Sequence, residues 1–360
     1  MSRYWSRIVN QLTPYTPGEQ PQISNLIKLN TNENPYGPSP KVTKAINDAN
    51  NAELRKYPDP NTNELKSTIA THFKVSRDMV FVGNSSDEVL AHTFRGLLKQ
   101  DSPLLFPDIT YSFYPVYCKL FDIDFVQLAL RDDFTIDPND YTQDNGGIIF
   151  ANPNAPTGIA LPVDDIAKIL EHNPDSVVVV DEAYVDFAND SAIRLVEHFP
   201  NLLVTQTLSK SRALAGLRVG VAIGQAELIE GLERVKNSFH PYALNSLAIA
   251  GAIAAFKDND YLERTTAMVN NTREQTTRQL TSLGFEVLPS SANFVFAKHS
   301  HLSAESIFQA LREYGIIVRY FDKPRINEFL RISIGTDQEM ATLVNALSEI
   351  IKQGWLSIAS

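Results

Sequence analysis

The residues best suited to chemistry in this chain follow short apolar runs. Val177–Val180 is four valines in a row, and Asp181-Glu182-Ala183-Tyr184 comes directly after it. A carboxylate leaving such a run is partly desolvated and needs a cationic or hydrogen-bonding partner. Leu202–Thr205 leads into Gln206-Thr207-Leu208-Ser209-Lys210, then Arg212 and Gly216-Leu217-Arg218-Val219-Gly220. A lysine in such a place can act as a Schiff-base amine; taken alone, it reads far more readily as a surface cation. Met79–Val82 precedes Gly83-Asn84-Ser85-Ser86-Asp87-Glu88. Small polar residues at a strand-to-helix turn leave backbone N–H groups free to cradle a phosphate, or serve as an ordinary helix cap at Ser85 or Ser86. Phosphate cradle, desolvated Asp, Tyr, Lys and Arg are together the groups that pyridoxal phosphate requires: a partner for its pyridine nitrogen, an amine for its aldehyde and donors for its phosphate.

For these groups to meet, the runs before them must be neighbouring strands. Met79–Val82, Leu104–Phe106, Ile148–Ala151, Val177–Val180 and Leu202–Thr205 alternate with amphipathic stretches at Asp87–Leu98, Ser112–Phe121, Pro162–Glu171 and Ser191–His198. That alternation predicts an α/β layer with a mainly parallel sheet and helices on both faces, and in such sheets ligands bind beyond the carboxyl ends of the strands. After about residue 245 the pattern changes. A helical stretch from Leu244 to about Leu283, broken near Lys257–Asn259, leads to strands at Phe285–Leu288, Asn293–Ala297, Ile316–Phe321 and Phe329–Ile334, with helices at Ala304–Tyr314 and Asp337–Lys352. This reads as a smaller α+β unit. The expected division is an arm over 1–29, a large cofactor-binding domain over 30–245 and a small domain over 246–360.

Composition narrows the function. The 360 residues are 43% hydrophobic and 21% charged, and 32 Lys and Arg against 42 Asp and Glu give a net charge of −10. Such a balance fits a globular protein and argues against nucleic acid or an anionic membrane as main partner. Cys118 is the single cysteine, so no disulfide framework is expected and a reducing, cytoplasmic setting is. Met1–Tyr15 lacks the apolar core of a signal peptide. Walker A, G-x-G-x-x-G, H-E-x-x-H and G-x-S-x-G patterns are all absent. His299 and His301 read as a solvated pair, and no metal site is expected.

The ordered motifs, however, carry a resemblance over nearly the whole chain. They are Q-L-T-P-Y at Gln11–Tyr15, K-L-N-T-N-E-N-P-Y-G-P-S-P at Lys28–Pro40, Y-P-D-P at Tyr57–Pro60, G-N-S-S-D-E at Gly83–Glu88, P-N-A-P-T-G at Pro153–Gly158, V-V-D-E-A-Y at Val179–Tyr184, T-L-S-K at Thr207–Lys210, A-G-L-R-V-G at Ala215–Gly220 and L-R-I-S-I-G at Leu330–Gly335. In this order the chain resembles the fold-type I, class II aminotransferases that use pyridoxal phosphate, and among them the histidinol-phosphate aminotransferase family. The resemblance implies that Lys210 carries the cofactor's aldehyde and later moves the substrate's proton. It implies that Asp181 pairs with the pyridine nitrogen, that Tyr184 contacts the ring's phenolic oxygen and that Ser85, Ser86, Ser209 and Arg218 hold the phosphate. Tyr111 would stack on the ring, with core packing as the alternative. Tyr57 would reach the cofactor of a second subunit, which makes a homodimer the active unit. Arg331 and Arg319 would receive the anionic end of the substrate, with Tyr15 and Asn32 at the entrance; a solvated face is the other reading of Arg319. Two positions depart from the family. Ser85 stands where Gly is common, and Ala155 where an Asn often contacts the ring oxygen, leaving Asn154 as its candidate substitute. Ala155-Pro156 is also a candidate cis peptide.

The expected reaction interconverts histidinol phosphate and 2-oxoglutarate with imidazole-acetol phosphate and glutamate. The rivals are an aromatic amino-acid transaminase, a decarboxylase of phosphorylated amino acids, and a regulator on the same fold, for whose DNA-binding module the short arm leaves no room.

Overall fold

The structure is a computed structural model that describes residues 2–21 and 25–358. Met1 and residues 22–24 of the expected arm, and residues 359–360 of the expected small domain, lie outside the described residues.

The main sheet has seven strands, in spatial order Val80–Asn84, Val219–Gly224, Leu202–Thr207, Val178–Asp181, Gly147–Ala151, Leu104–Pro107 and Phe125–Leu128. The last five run parallel, whereas Val219–Gly224 is antiparallel to both of its neighbours. Alternate side chains along each strand enter two different cores. Val80, Ile148, Val178, Val180 and Val204 join Leu65, Ile69, Ile166 and Ala248 on one face. Phe81, Phe106, Ile149, Val179 and Leu203 join Val89, Phe94, Tyr114 and Leu232 on the other. Burial on both faces explains the uninterrupted valines, since a strand covered on both sides has no polar face to alternate with.

A second, four-stranded antiparallel sheet contains Arg319–Tyr320, Leu330–Ser333, Phe294–His299 and Phe285–Val287. Helices Asn259–Ser282, Ala304–Glu313 and Asp337–Ile358 accompany it. The expected break in the long helical stretch falls between Phe256 and Asn259. Helix Ser246–Phe256 packs on helix Pro40–Ala49 and contributes Ala248, Ala252 and Phe256 to the large-sheet core.

Several elements differ from the sequence expectation. Ser191–His198 is not an α-helix but a short 3-10 turn at Ala192–Leu195, because Ser191 Oγ caps Ile193 N–H and the Glu182 carboxylate takes Ala192 N–H at 2.6 Å. The N-terminal arm also supplies structure: Ile27–Lys28 pairs in parallel with Ile316–Ile317, and Leu29 is buried in the core of the second unit. His299 is buried rather than solvated. Its Nδ1 accepts the N–H groups of His301 and Leu302, so it shapes a turn.

Candidate active site

The carboxyl ends of the main strands open into a cavity of about 630 Å³, which reaches across to the second sheet and to the arm. Strand Val178–Asp181 ends in Asp181, 4% exposed. Its two oxygens accept hydrogen bonds from Tyr114 Oη at 2.9 Å and Thr205 Oγ1 at 3.2 Å. Burial pushes its pKa up to about 6, against the opposing pull of those hydroxyls. A desolvated carboxylate of this kind favours a cationic ring nitrogen as partner. Lys210 lines the same cavity, and its Nζ donates to the Thr31 carbonyl at 2.9 Å.

The turn after Val80–Asn84 is built for close approach. Ser85 takes φ = +75°, the conformation that favours Gly, and its N–H donates to the Arg218 carbonyl. Gly220 lies beneath. A Cβ there would sit 2.3 Å from Ser85 C and 2.4 Å from Ser86 N, so the turn closes only over a glycine. Ser86, Ser209 and Arg218 line the cavity around it. Arg218 pairs with Asp87 at 2.8 Å, and Asp87 also receives the Tyr111 hydroxyl. Tyr111 stands edge-on to Tyr114, and Tyr15 packs against Phe113 with centroids 4.8 Å apart.

At the far side, Arg319 and Arg331 occupy partnered positions on adjacent antiparallel strands, and both line the cavity. Arg331 is sandwiched against Phe294 and Phe321 and donates to the Asn30 carbonyl at 2.9 Å. Its buried Nε has no hydrogen-bond partner among the described residues. Burial pulls its pKa down, and the neighbouring Arg319 charge adds to that pull. An unpartnered guanidinium N–H beside a second arginine is a site for an anion.

Four expected positions differ. Ser85 is buried and does not line the cavity; its hydroxyl accepts the Asp87 N–H and donates to the Asp87 carboxylate, each at 3.2 Å. Asn154 does not reach the cavity. Its side chain accepts from Thr110 Oγ1 and donates to the Ile109 carbonyl and Thr157 Oγ1, so its amide is consumed in holding the loop, and Ala155 and Pro156 form the wall instead. The Ala155-Pro156 bond is cis, as is Asn152-Pro153. Asn32 lines the cavity as expected, but it is 1% exposed and its amide is spent on Tyr184 and Ser333. Tyr57 is 81% exposed, outside this chain's cavity, and stacks on Tyr242 with centroids 4.7 Å apart.

Sequence reasoning did not single out Tyr114, Thr205 or Gly220. Tyr114 looks like one more core aromatic in the Tyr111–Phe121 stretch; its role follows from the register that brings it under Asp181. Among the described residues no group of His, Cys, Asp and Glu could hold a metal ion.

The fold and this constellation define a transaminase. The family model described as aminotransferase class I and II matches residues 24–347, and the chain belongs to that family, within it to the histidinol-phosphate aminotransferases. It is 59% identical over 352 residues to histidinol-phosphate aminotransferase 1 of Hydrogenovibrio crunogenus, covering 98% of this chain and 99% of that one. It is 59% identical over 347 residues to histidinol-phosphate aminotransferase 1 of Pseudomonas aeruginosa, covering 96% and 99%. Among solved structures, the histidinol-phosphate aminotransferase of Sinorhizobium meliloti in complex with pyridoxal-5'-phosphate superposes with a TM-score of 0.88 at 25% identity, covering 98% of this chain and 99% of that one.

Proposed function

We propose that this transaminase takes pyridoxal 5'-phosphate and moves an amino group between histidinol phosphate and 2-oxoglutarate, giving imidazole-acetol phosphate and glutamate. The observation that carries the reading is one cavity holding a buried acid, a lysine and a paired-arginine anion site. The residues fit the cofactor: the cavity has the size of a small-molecule site, and the Gly220 cradle admits a phosphate where a Cβ would block the turn. When bound, pyridoxal phosphate supplies an aldehyde that condenses with amines and a protonated ring that draws electrons from the reacting carbon.

The chain's own residues do the rest. Asp181, kept ionised by two hydroxyl donors, holds the proton on the pyridine nitrogen. Tyr184 presents its hydroxyl to the ring's phenolic oxygen. Ser86, Ser209 and Arg218 would hold the phosphate, with Ser85 shaping the turn beside them. Tyr111 stacks on the ring. Lys210 would hold the cofactor through its aldehyde and would move the proton at the substrate's Cα. Arg331 and Arg319 bind the substrate anion. A dianionic phosphate answers both guanidinium charges, whereas a single carboxylate answers one, which favours histidinol phosphate over phenylalanine.

The aromatic-transaminase reading is supported by Tyr15 and Tyr111 on the cavity wall, with Phe113 packed against both, a surface that accepts either ring. Purified enzyme treated with each donor separates the two: histidinol phosphate should abolish the visible cofactor band, and phenylalanine should leave it. The reverse result refutes the assignment.

Exposed Tyr57, stacked on the partly exposed Tyr242, supports a homodimer in which Tyr57 completes the partner's phosphate site. Mixing refolded Lys210→Ala and Tyr57→Ala chains should then restore activity that neither has alone. A cytoplasmic setting is supported by the lone buried Cys118; no helix of the described residues is long and apolar enough to cross a membrane. For the domains, the packing of Ser246–Phe256 supports moving the start of the small unit from residue 246 to Asn259.

A further inference from the structure

Tyr184 and Asn32 form a pair that the reaction as described does not explain. Asn32 is 1% exposed and holds φ = +56°, a conformation that Asn tolerates better than most residues. Every polar group it owns is spent. Its N–H donates to Ser333 Oγ at 2.9 Å, and the same hydroxyl donates to Asn32 Oδ1 at 2.8 Å. Its carbonyl accepts from Asn293 Nδ2 at 3.0 Å. Its Nδ2 donates to Tyr184 Oη at 3.0 Å.

The direction of these bonds matters. Ser333 has one hydroxyl proton; because its oxygen already accepts the Asn32 N–H, that proton goes to Oδ1. Oδ1 is thereby fixed on Ser333, and the NH₂ group is left facing Tyr184. Tyr184 Oη thus receives a hydrogen bond from behind, and its own proton meets no protein acceptor among the described residues. The ring is held by edge-on packing against Phe294, with centroids 5.1 Å apart. Rotation of the hydroxyl is therefore the freedom that remains, and its proton is free to turn toward the cavity that Tyr184 lines.

We infer that Asn32 is a positioning residue that makes Tyr184 an obligate donor toward the cavity, so that a polarised O–H, rather than a lone pair, meets the cofactor's phenolic oxygen. The inference rests on the cofactor reading above. It also accounts for an apolar neighbour: Ala155 lines the same wall and offers no donor, so the contact falls on Tyr184. The charged groups around Tyr184 are Lys210, whose Nζ is 5.9 Å from the ring centre, Arg331, and Asp181 in the same cavity. None of them is altered in the variants below.

The test is the pH midpoint of the visible band of the cofactor-loaded enzyme. Donation to the phenolic oxygen stabilises its anion and holds the midpoint down. Asn32→Ala should raise the midpoint by about one pH unit, the worth of one neutral hydrogen bond. Asn32→Asp should raise it at least as far, because a carboxylate draws the Tyr184 proton to itself. Ser333→Ala, which releases the amide and also removes the acceptor of the residue-32 N–H but keeps the Asn32 side chain, should raise it less. Adding Ala155→Asn to Asn32→Ala supplies a replacement donor and should bring the midpoint back down. An unchanged midpoint in Asn32→Ala and Ser333→Ala overturns the inference, even if cofactor affinity falls. A wild-type enzyme with no visible transition overturns the cofactor reading itself, and this inference with it.

Discussion

Asp181→Asn should stabilise the cofactor-free protein while crippling the loaded enzyme. The carboxyl group has a pKa of 3.8 when solvated, and burial raises it to about 6 in the fold. Because the folded value is the higher one, the native state binds more protons than the unfolded state between these limits, and stability falls as pH rises through them. Below the lower limit both states are protonated and nothing is lost. Above the upper one the full cost is present: about 2 pH units at 1.4 kcal/mol each, or about 3 kcal/mol. About half of it has developed by about pH 5. Asn removes the charge but cannot accept from both Tyr114 and Thr205 as well as a carboxylate does, a loss of about 1 kcal/mol. The expected net gain is therefore about 2 kcal/mol at about pH 8, shrinking toward acid. Urea unfolding of both apoproteins across this range measures it. Equal stability at about pH 8, or a difference independent of pH, refutes the reasoning. With cofactor added, the variant should lose most of its turnover, because a neutral amide cannot hold a proton on the pyridine nitrogen.

Further predictions address the groups around this acid. Tyr114→Phe keeps the buried ring but leaves Asp181 with one hydroxyl donor; the fold should survive, and cofactor affinity should drop roughly tenfold, one charge-assisted hydrogen bond, as read by absorbance titration. Gly220→Ala drives a methyl into the Ser85–Ser86 backbone, at a cost of about 1–3 kcal/mol, and should weaken the binding of cofactor and of free phosphate together. Arg319→Gln should raise KM for histidinol phosphate at least tenfold with a smaller change in kcat, because it removes one of two charges facing a dianion; phenylalanine turnover, if any, should change less.

The parts of this molecule that were legible in the sequence are those where a residue's burial follows from its neighbours alone. Four consecutive valines have to be a strand covered on both faces, and Asp181 after them has to be a desolvated acid. Lys210 and Arg218 were legible through the family resemblance instead, since neither is buried. The antiparallel insertion of Val219–Gly224 was not legible, because direction within a sheet depends on how far the preceding loop doubles back. Strand Phe125–Leu128 was missed for another reason: it lies at the sheet edge, with Val126 38% exposed, and carries no burial signature. Helix Pro40–Ala49 did carry a signal, Ser39 capping before Pro40 at the first turn. Asn154 shows the opposite failure. Its type suited the cofactor, but it sits at a turn, where its amide is taken up by Thr110, Ile109 and Thr157.

Substrate charge and protein charge also have to be reconciled. The chain carries −10 overall, and every proposed substrate is an anion, so the long-range field opposes capture. The cavity answers this locally. Arg319 and Arg331 stand side by side in the register of two short strands, and their mutual repulsion, with the desolvation of Arg331, makes the empty arrangement costly. An incoming phosphate relieves both costs at once, since it neutralises the pair and supplies the acceptor that Arg331 Nε lacks. Selectivity at this end then arises from strain stored in the free protein rather than from attraction at a distance. A neutral ligand of the same shape would leave that strain in place, which is why the arginine pair, and not the aromatic wall, is the feature that should choose the substrate.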